Sequence, residues 1–320
     1  MKIRILTAAD VRAALTMSQA IAAMKKAYGQ FSSGRATVPL RTRLHTDKGV
    51  TLLMPAFLHQ SRNLAVKVVS VYSGNPALGL PTVAATVLVL NPETGLPLAF
   101  MEGDSLTALR TGAGGGLAAD LLARKDARTV ALFGAGVQAR AQLQAVLAVR
   151  SIETVRLFDP SADAARRLMD AVALWPDAPK IIPAQSPEAA IEAADIVLAA
   201  TTTRTPLFDG NRLAPGAHVT GVGSFTPEMQ EIDTATVRRA KVVVDSREAC
   251  MAETGDIINT GAVIHAELGE IVNGVRPGRE TEEEITFFKS VGIAAQDAVA
   301  AAAVLKAAEK KDLGTLIQMS

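Results

Sequence analysis

The stretch Thr129-Val130-Ala131-Leu132-Phe133-Gly134-Ala135-Gly136-Val137-Gln138-Ala139 decides how this chain is read. Five strand-type residues run straight into a G-x-G-x-x-A turn, and a helix-forming segment follows to about Val149. Gly134 permits the tight turn, Gly136 lets a phosphate approach the backbone, and Ala139 is small enough for the helix to pack on the strand. The helix would then aim its free N–H groups and positive dipole end at a pyrophosphate. The next strand-like run, Thr154–Phe158, ends at Asp159. That acid falls about 23 residues past Gly136, near the roughly 20 expected of a ribose-binding carboxylate. It would accept from both ribose hydroxyls and repel a 2′-phosphate. Strand, glycine turn, helix, strand and acid in this order make a dinucleotide-binding βαβ unit.

Downstream, Ile196–Ala200, His218–Val222 and Lys241–Val244 alternate with helix-length segments. This implies right-handed crossovers and a doubly wound parallel sheet covered on both faces. Gly221-Val222-Gly223 also follows a strand, but Pro227 interrupts what comes next, so it reads as a strand-end loop lining the cofactor. Gly112-Ala113-Gly114-Gly115-Gly116 lies within a helical stretch from about Ser105 to Ala123. It either brings backbone to a phosphate or allows a close helix–sheet crossing.

Upstream the texture differs. Apolar spacing predicts one helix from about 10 to 31, with Gly29 and Gly34 at its end. Val50–Met54, Leu64–Tyr72, Thr82–Leu90 and Pro97–Met101 read as strands, with Asn91–Gly95 as a hairpin turn. Strands so close in sequence favour an antiparallel or mixed sheet. The segment from about Phe287 to Lys310 reads as helix.

The 320 residues carry 33 basic and 32 acidic side chains, a net charge of +1, which offers no footprint for nucleic acid or an anionic membrane. Hydrophobic residues make up 49% and charged residues 20%, excluding a largely disordered chain. One cysteine excludes an internal disulfide framework, and the four histidines (His45, His59, His218, His265) show no metal-ligand spacing. Apolar runs fall well short of a bilayer span. Met1-Lys2-Ile3-Arg4 opens no apolar leader, so a cytoplasmic protein is expected.

A second constellation is cationic. Lys67 sits in Leu64-Ala65-Val66-Lys67-Val68-Val69-Ser70-Val71, flanked by aliphatic residues. Facing the core, it would be a desolvated lysine of lowered proton affinity, suited to proton transfer or to an anionic partner. Facing outward, it would be an ordinary surface charge, and spacing leaves both open. Arg41 and Arg43 share a face if Val38–Leu44 is a strand, and Arg110 lies in the otherwise uncharged Leu106–Thr111. Arginine's planar fork suits a carboxylate.

With these motifs in hand, the chain resembles the ornithine cyclodeaminase/mu-crystallin family nearly end to end. The likeness rests on Pro39-Leu40-Arg41-Thr42, Met54-Pro55-Ala56, Lys67 in its strand, Gly79-Leu80-Pro81-Thr82 and Leu106–Thr111. It continues in Gly134–Ala139, Val244-Asp245-Ser246-Arg247-Glu248 and Phe288-Lys289-Ser290-Val291-Gly292. The resemblance implies a homodimer with a Rossmann domain (residues 121–295) inserted in an α+β substrate-binding and dimerisation domain (1–120 with 296–320). It implies a substrate set of Arg41, Met54, Lys67 and Arg110, with Lys67 also the catalytic acid/base. It places Thr82, Arg110, Thr111, Gly134, Ala135, Gly136, Val137, Gln138, Asp159, Thr201, Thr202, Val222, Gly223 and Ser290 against NAD, with NADP the alternative.

One departure is informative. Cyclodeaminases and the related alanine dehydrogenase carry an aspartate in a Gly-x-Asp-x-Pro-like loop, where this chain has Gly223-Ser224-Phe225-Thr226-Pro227. Lacking that acid, it is more similar to the ketimine-reductase side of the family. The expected activity is NAD(P)H-dependent reduction of a small cyclic ketimine acid such as 1-pyrroline-2-carboxylate to an L-imino acid. The alternatives are an amino-acid dehydrogenase or ornithine cyclodeaminase, with Glu228 or Glu231 replacing the aspartate, and a non-enzymatic dinucleotide-dependent binding protein.

Overall fold

Two capping boxes settle how the chain begins. In the computed structural model, which describes residues 1–319, strand β1 (Lys2–Leu6) is followed by helices α1 (Ala8–Ala14) and α2 (Met17–Ser32), not by one helix. Thr7 caps α1 and exchanges hydrogen bonds with Asp10; Thr16 does the same for α2 with Gln19. Each box satisfies the free N–H groups of a helix start, so the break at Leu15 is stabilised on its C-terminal side. Short strands follow: β2 (Ala36–Thr37), β3 (Thr42–Thr46), β4 (Gly49–Leu58), β5 (Asn63–Val71), β6 (Val83–Leu90) and β7 (Pro97–Glu102). The Asn91–Gly95 turn joins β6 to β7, with Gly95 N donating to Asn91 O at φ +73°.

Helix α3 (Gly103–Leu122) leads into the doubly wound part. There β8 (Thr129–Phe133), α4 (Val137–Leu147), β9 (Thr154–Phe158), α5 (Ala162–Ala173), β10 (Lys180–Pro183), α6 (Pro187–Ile191), β11 (Ile196–Ala199) and β12 (His218–Gly221) alternate. Then come α7 (Thr234–Arg239), β13 (Ala240–Val244), α8 (Arg247–Glu253), α9 (Gly255–Ile258), β14 (Ile264–Glu267), α10 (Leu268–Val272) and β15 (Ile285–Lys289). The sheet runs in the order β10-β9-β8-β11-β12-β15-β13-β14, and every ladder is parallel. The expected α/β Rossmann architecture is therefore present, with its order reversing between β8 and β11. One expectation fails: Phe287 does not open a helix. Ile285-Thr286-Phe287-Phe288-Lys289 is a wholly buried strand in mid-sheet, as β-branched and aromatic residues favour.

The chain closes with α11 (Ala294–Lys311) and β16 (Thr315–Gln318). These rejoin the opening segment, so that the chain divides into Met1–Arg110 with Ile293–Ser320, and Thr111–Gly292. The dividing point falls inside α3. In the first unit the sheet order is β16-β1-β7-β6-β5-β4-β2, with β3 also on β4. Alternation buries Met54, Ala56, Leu58, Ala65, Lys67 and Val69 on the face covered by α11. Among the described residues no helix is long and apolar enough to cross a membrane.

Of the two readings left open for the glycine run of α3, a phosphate approach or a helix–sheet crossing, the close packing is there, but against helix α4 and not a sheet. A Cβ on Gly112 would lie 2.6 Å from the carbonyl oxygen of Ala141 in α4, and Gln142 Nε2 donates to Thr111 O at 2.9 Å. Arg150 then caps the far end of α3, donating to the carbonyls of Ala119, Asp120 and Ala123. Helix propensity alone would make Gly112→Ala stabilising by about 1 kcal/mol. The backbone clash outweighs it, because neither helix end is free to move away, and the net cost should be about 1–3 kcal/mol. Urea unfolding would show this as a lower midpoint at unchanged slope; a raised midpoint would mean that α3 and α4 are not in close contact.

Candidate functional site

Strands β9, β8, β11, β12 and β15, in the middle of the parallel sheet, all end at the same edge, and their loops carry the predicted dinucleotide residues. Asp159 follows β9, Gly134–Gly136 follow β8, Thr201 and Thr202 follow β11, Val222 and Gly223 follow β12, and Ser290 follows β15. Gly134 has φ +93° and a Cβ there would sit 2.7 Å from Ala200 O, so only glycine makes the turn. At Gly136 a Cβ would meet nothing within 4 Å, and this residue caps α4 without any side-chain hydrogen bond. The first turn of α4 thus starts without a side-chain cap, with Val137 exposed and the buried Gln138 Oε1 accepting no hydrogen bond among the described residues. Asp159 is held by its backbone partners: Oδ2 accepts from Ala135 N at 2.8 Å and Oδ1 from Ser161 N at 2.8 Å. An uncapped helix start, an open glycine cradle and a fixed acid fit a dinucleotide's pyrophosphate and ribose.

Behind these loops lies a buried ionic network. Glu231 is fully buried and takes up four donors: Oε1 accepts from Thr201 N (2.6 Å) and Thr201 Oγ1 (2.8 Å), and Oε2 from Gly223 N (2.6 Å) and Ser224 N (3.1 Å). Burial pushes its carboxyl up, Asp256 adds to that, and Lys289 and the Thr201 donors oppose it. Asp256 Oδ1 accepts from Glu231 N and Ile232 N, while its Oδ2 pairs with Lys289 Nζ at 2.8 Å, both side chains fully buried. Asp245 performs the same service one strand over, accepting from Ser290 Oγ, Val291 N and Gly292 N. His218 is a core residue between Thr286 and Thr220, held neutral because burial lowers it to about 3.

In the first unit, alternation turns Lys67 inward. Its cross-strand partner Met54 lies on the same buried face. Lys67 Nζ donates to Asp297 Oδ1 at 3.3 Å, and Arg110 Nε donates to that same oxygen at 3.1 Å. Arg110 Nη1 donates to Gln296 Oε1 at 2.9 Å, and Gln296 Nε2 donates to the Tyr28 hydroxyl at 2.8 Å. Burial lowers the Lys67 ammonium to about 8; Asp297 resists this, while the charges of Arg110 and Arg41 add to it. Arg41 lies just ahead of β3 and is half-buried, whereas Arg43, on β3, is exposed, so the two do not act as a pair. The cluster presents more positive than negative charge and can hold an anion, a carboxylate in particular.

A model of the ornithine cyclodeaminase/mu-crystallin family matches residues 1–312. The chain is 37% identical to a Δ1-pyrroline-2-carboxylate reductase of Bacillus cereus, over 98% of this chain and 99% of that one. The solved Δ1-pyrroline-2-carboxylate reductase of Thermococcus litoralis, in complex with NADH and L-proline, is 41% identical with a TM-score of 0.93, covering 98% and 99%. An archaeal alanine dehydrogenase dimer with bound NAD is 34% identical with a TM-score of 0.93, covering both chains fully.

The structure gathers Lys67, Met54, Arg110 and Arg41 in the first unit, which also contains Thr82, exposed ahead of β6. Two residues expected against a dinucleotide have hydroxyls committed elsewhere: Thr201 to Glu231, and Ser290 to Asp245. Asp297 and Gln296 escape the sequence reading, although Asp297 is the one charged residue between Lys289 and Lys306. Glu231, one of the two acids named for a base role in the alternative reading, clasps two loops through its four donors. Glu231→Gln places amide hydrogens against backbone donors and should cost about 1–3 kcal/mol. The expected result is a lower thermal midpoint; an unchanged one would show that the four donors are satisfied without the carboxylate.

Proposed function

The chain belongs to the ornithine cyclodeaminase/mu-crystallin family, and from that we infer an NAD(P)H-dependent reductase of a small cyclic ketimine acid, of the 1-pyrroline-2-carboxylate type, giving an L-imino acid such as proline. The observation that carries the reading is the buried cationic cluster, in which Lys67 and Arg110 share the one carboxylate of Asp297. The similar reductases and the NADH–proline complex of the Thermococcus relative support it.

A bound nicotinamide supplies the hydride for the C=N carbon. This chain's residues do the rest. Gly134–Gln138 and Asp159 hold the dinucleotide. Arg41, Arg110 and Lys67 bind and orient the substrate carboxylate, and Met54 offers the ring an apolar contact beside Lys67. Lys67 Nζ, with proton affinity lowered to about 8, provides the proton that the reduced nitrogen takes up. Oxidation of an amino acid would need a base where Phe225 stands, and both Glu231 oxygens are occupied by backbone and hydroxyl donors. Glu228 lies on the surface.

We take the protein to be a cytoplasmic homodimer. The face of the first sheet opposite Lys67, with Leu53, Leu98 and Phe100 exposed, suits a second copy, and the archaeal relative is a dimer.

Wild-type protein should oxidise NADH with 1-pyrroline-2-carboxylate and release little or no ammonia from ornithine with NAD. Efficient ornithine turnover, or no ketimine turnover, would overturn the reading. Lys67→Met should remove a charge-assisted contact worth about 1.5–3 kcal/mol, a roughly 10- to 150-fold loss in kcat/KM, without weakening NADH binding. An undiminished kcat/KM would remove Lys67 from the mechanism. Because Asp159 is tied to Ala135 and Ser161, it cannot swing away from a 2′-phosphate. Like-charge apposition should favour NADH over NADPH by on the order of 10- to 100-fold in kcat/KM; an NADPH advantage would point to the exposed Arg166 or Arg167 instead.

A further inference from the structure

We propose that Asp297 is the positioning residue of this site: it acts through Lys67 and Arg110, aiming both cations and keeping the Lys67 proton in place for transfer. This goes beyond the carboxylate-binding cluster and rests on the reductase reading given above.

The geometry is specific. Oδ1 alone takes both cationic donors, Lys67 Nζ at 3.3 Å and Arg110 Nε at 3.1 Å, while Oδ2 is buried and accepts no hydrogen bond among the described residues. A carboxylate retained only for packing would have both oxygens met, since buried polar atoms rarely go without partners. By taking Arg110 Nε, Asp297 fixes the plane of the guanidinium. Gln296 Oε1 takes Nη1 and is itself fixed by Ile293 N and the Tyr28 hydroxyl. No hydrogen bond among the described residues uses Arg110 Nη2, which leaves it for an incoming carboxylate.

The same contact governs the proton. The groups acting on Lys67 are Asp297 on α11, Arg110 and Asp104 on α3, and Arg41 ahead of β3. Burial and the two arginines all drive the proton off, and Asp297 is the chief group opposing them. Lys67 is therefore charged below about pH 8 because Asp297 is present. Removing that charge should lower the lysine further, by roughly 1–3 pH units, the usual effect of losing an opposite charge at contact distance.

The signs follow. In the wild type, kcat/KM should fall as pH rises through about 8, where Lys67 loses its proton. In Asp297→Asn this basic limb should move at least about one pH unit lower, with activity partly recovered on acidification. Asp297→Ser, which admits water beside the cations and is the more tolerant variant for folding, should show the same shift. Asp297→Glu, which keeps the charge, should keep the limb near the wild-type position even with a reduced kcat. A second readout needs no turnover: competitive acetylation of the whole protein, followed by mass spectrometry of the Lys67 peptide, reports the neutral amine as a function of pH. It should titrate near 8 in the wild type and lower in Asp297→Asn and Asp297→Ser. If the labelling shifts but no ketimine is reduced, the role of Asp297 stands and the reductase reading falls. If ketimine is reduced and the variants lose kcat uniformly, with limb and labelling where the wild type has them, the proposal is overturned.

Discussion

Asp297 Oδ1 lies 3.3 Å from Lys67 Nζ and 3.1 Å from Arg110 Nε, with all three side chains out of water, and the first unit is arranged around the cost of that contact. Desolvating each ion costs several kcal/mol, and mutual attraction offsets this only where geometry and further hydrogen bonds are good. Aspartate is short, so the helix bearing it has to come close to the sheet. Helix α11 does so because most of the apolar residues it buries are alanines (Ala294, Ala295, Ala298, Ala300, Ala301 and Ala308), with Val299, Val304 and Leu305 the larger ones. The alanine content that reads in the sequence as mere helix propensity is also what lets one carboxylate span two cations. Because α11 returns from the far end of the chain, the cluster exists only in the folded unit.

The second unit solves a similar problem in a different way. Loops at the carboxyl edge of a parallel sheet expose backbone N–H groups that a strand ladder no longer uses. Glu231 collects those of Thr201, Gly223 and Ser224, and Asp245 collects those of Val291 and Gly292. Lys289, at the end of the central strand β15, supplies a counter-charge through Asp256. With these anions hidden beneath the loops, the stretch Gly134–Gln138 itself offers only uncharged groups and helix N–H dipoles, a suitable environment for a phosphate.

Much of this was legible in the sequence because it follows local rules. The strand–glycine–helix–strand–acid order needs only short-range patterning, and the structure reproduces it from Thr129 to Asp159. Lys67 could be named but not oriented, since a lysine among aliphatic residues fits either face until the neighbouring strands and α11 fix which side is covered. The two-helix start was written in Thr7-Ala8-Ala9-Asp10 and Thr16-Met17-Ser18-Gln19, where the apolar period obscured the caps. Asp297 and Glu231 were not legible, because each matters through partners distant in sequence: Asp297 is 230 positions from Lys67, and Glu231 is 30 from Thr201. For β15 the β-branched and aromatic residues suit a strand, but its place between β12 and β13 is set by partners distant in sequence.

The chemistry of the first unit also bears on the direction of the reaction. A buried lysine at about 8 binds its proton less tightly than in the unfolded chain, so the ammonium is a burden on the fold. Stability is fullest above the ordinary lysine value of 10.5 and is lost as pH falls through about 8. Near neutrality the protein therefore carries an ammonium held in place by Asp297 and ready to leave as a proton. Such a group is matched to give a proton to a nitrogen gaining electron density and poorly matched to remove one from an ammonium substrate. A poised acid of this kind suits the reduction of C=N.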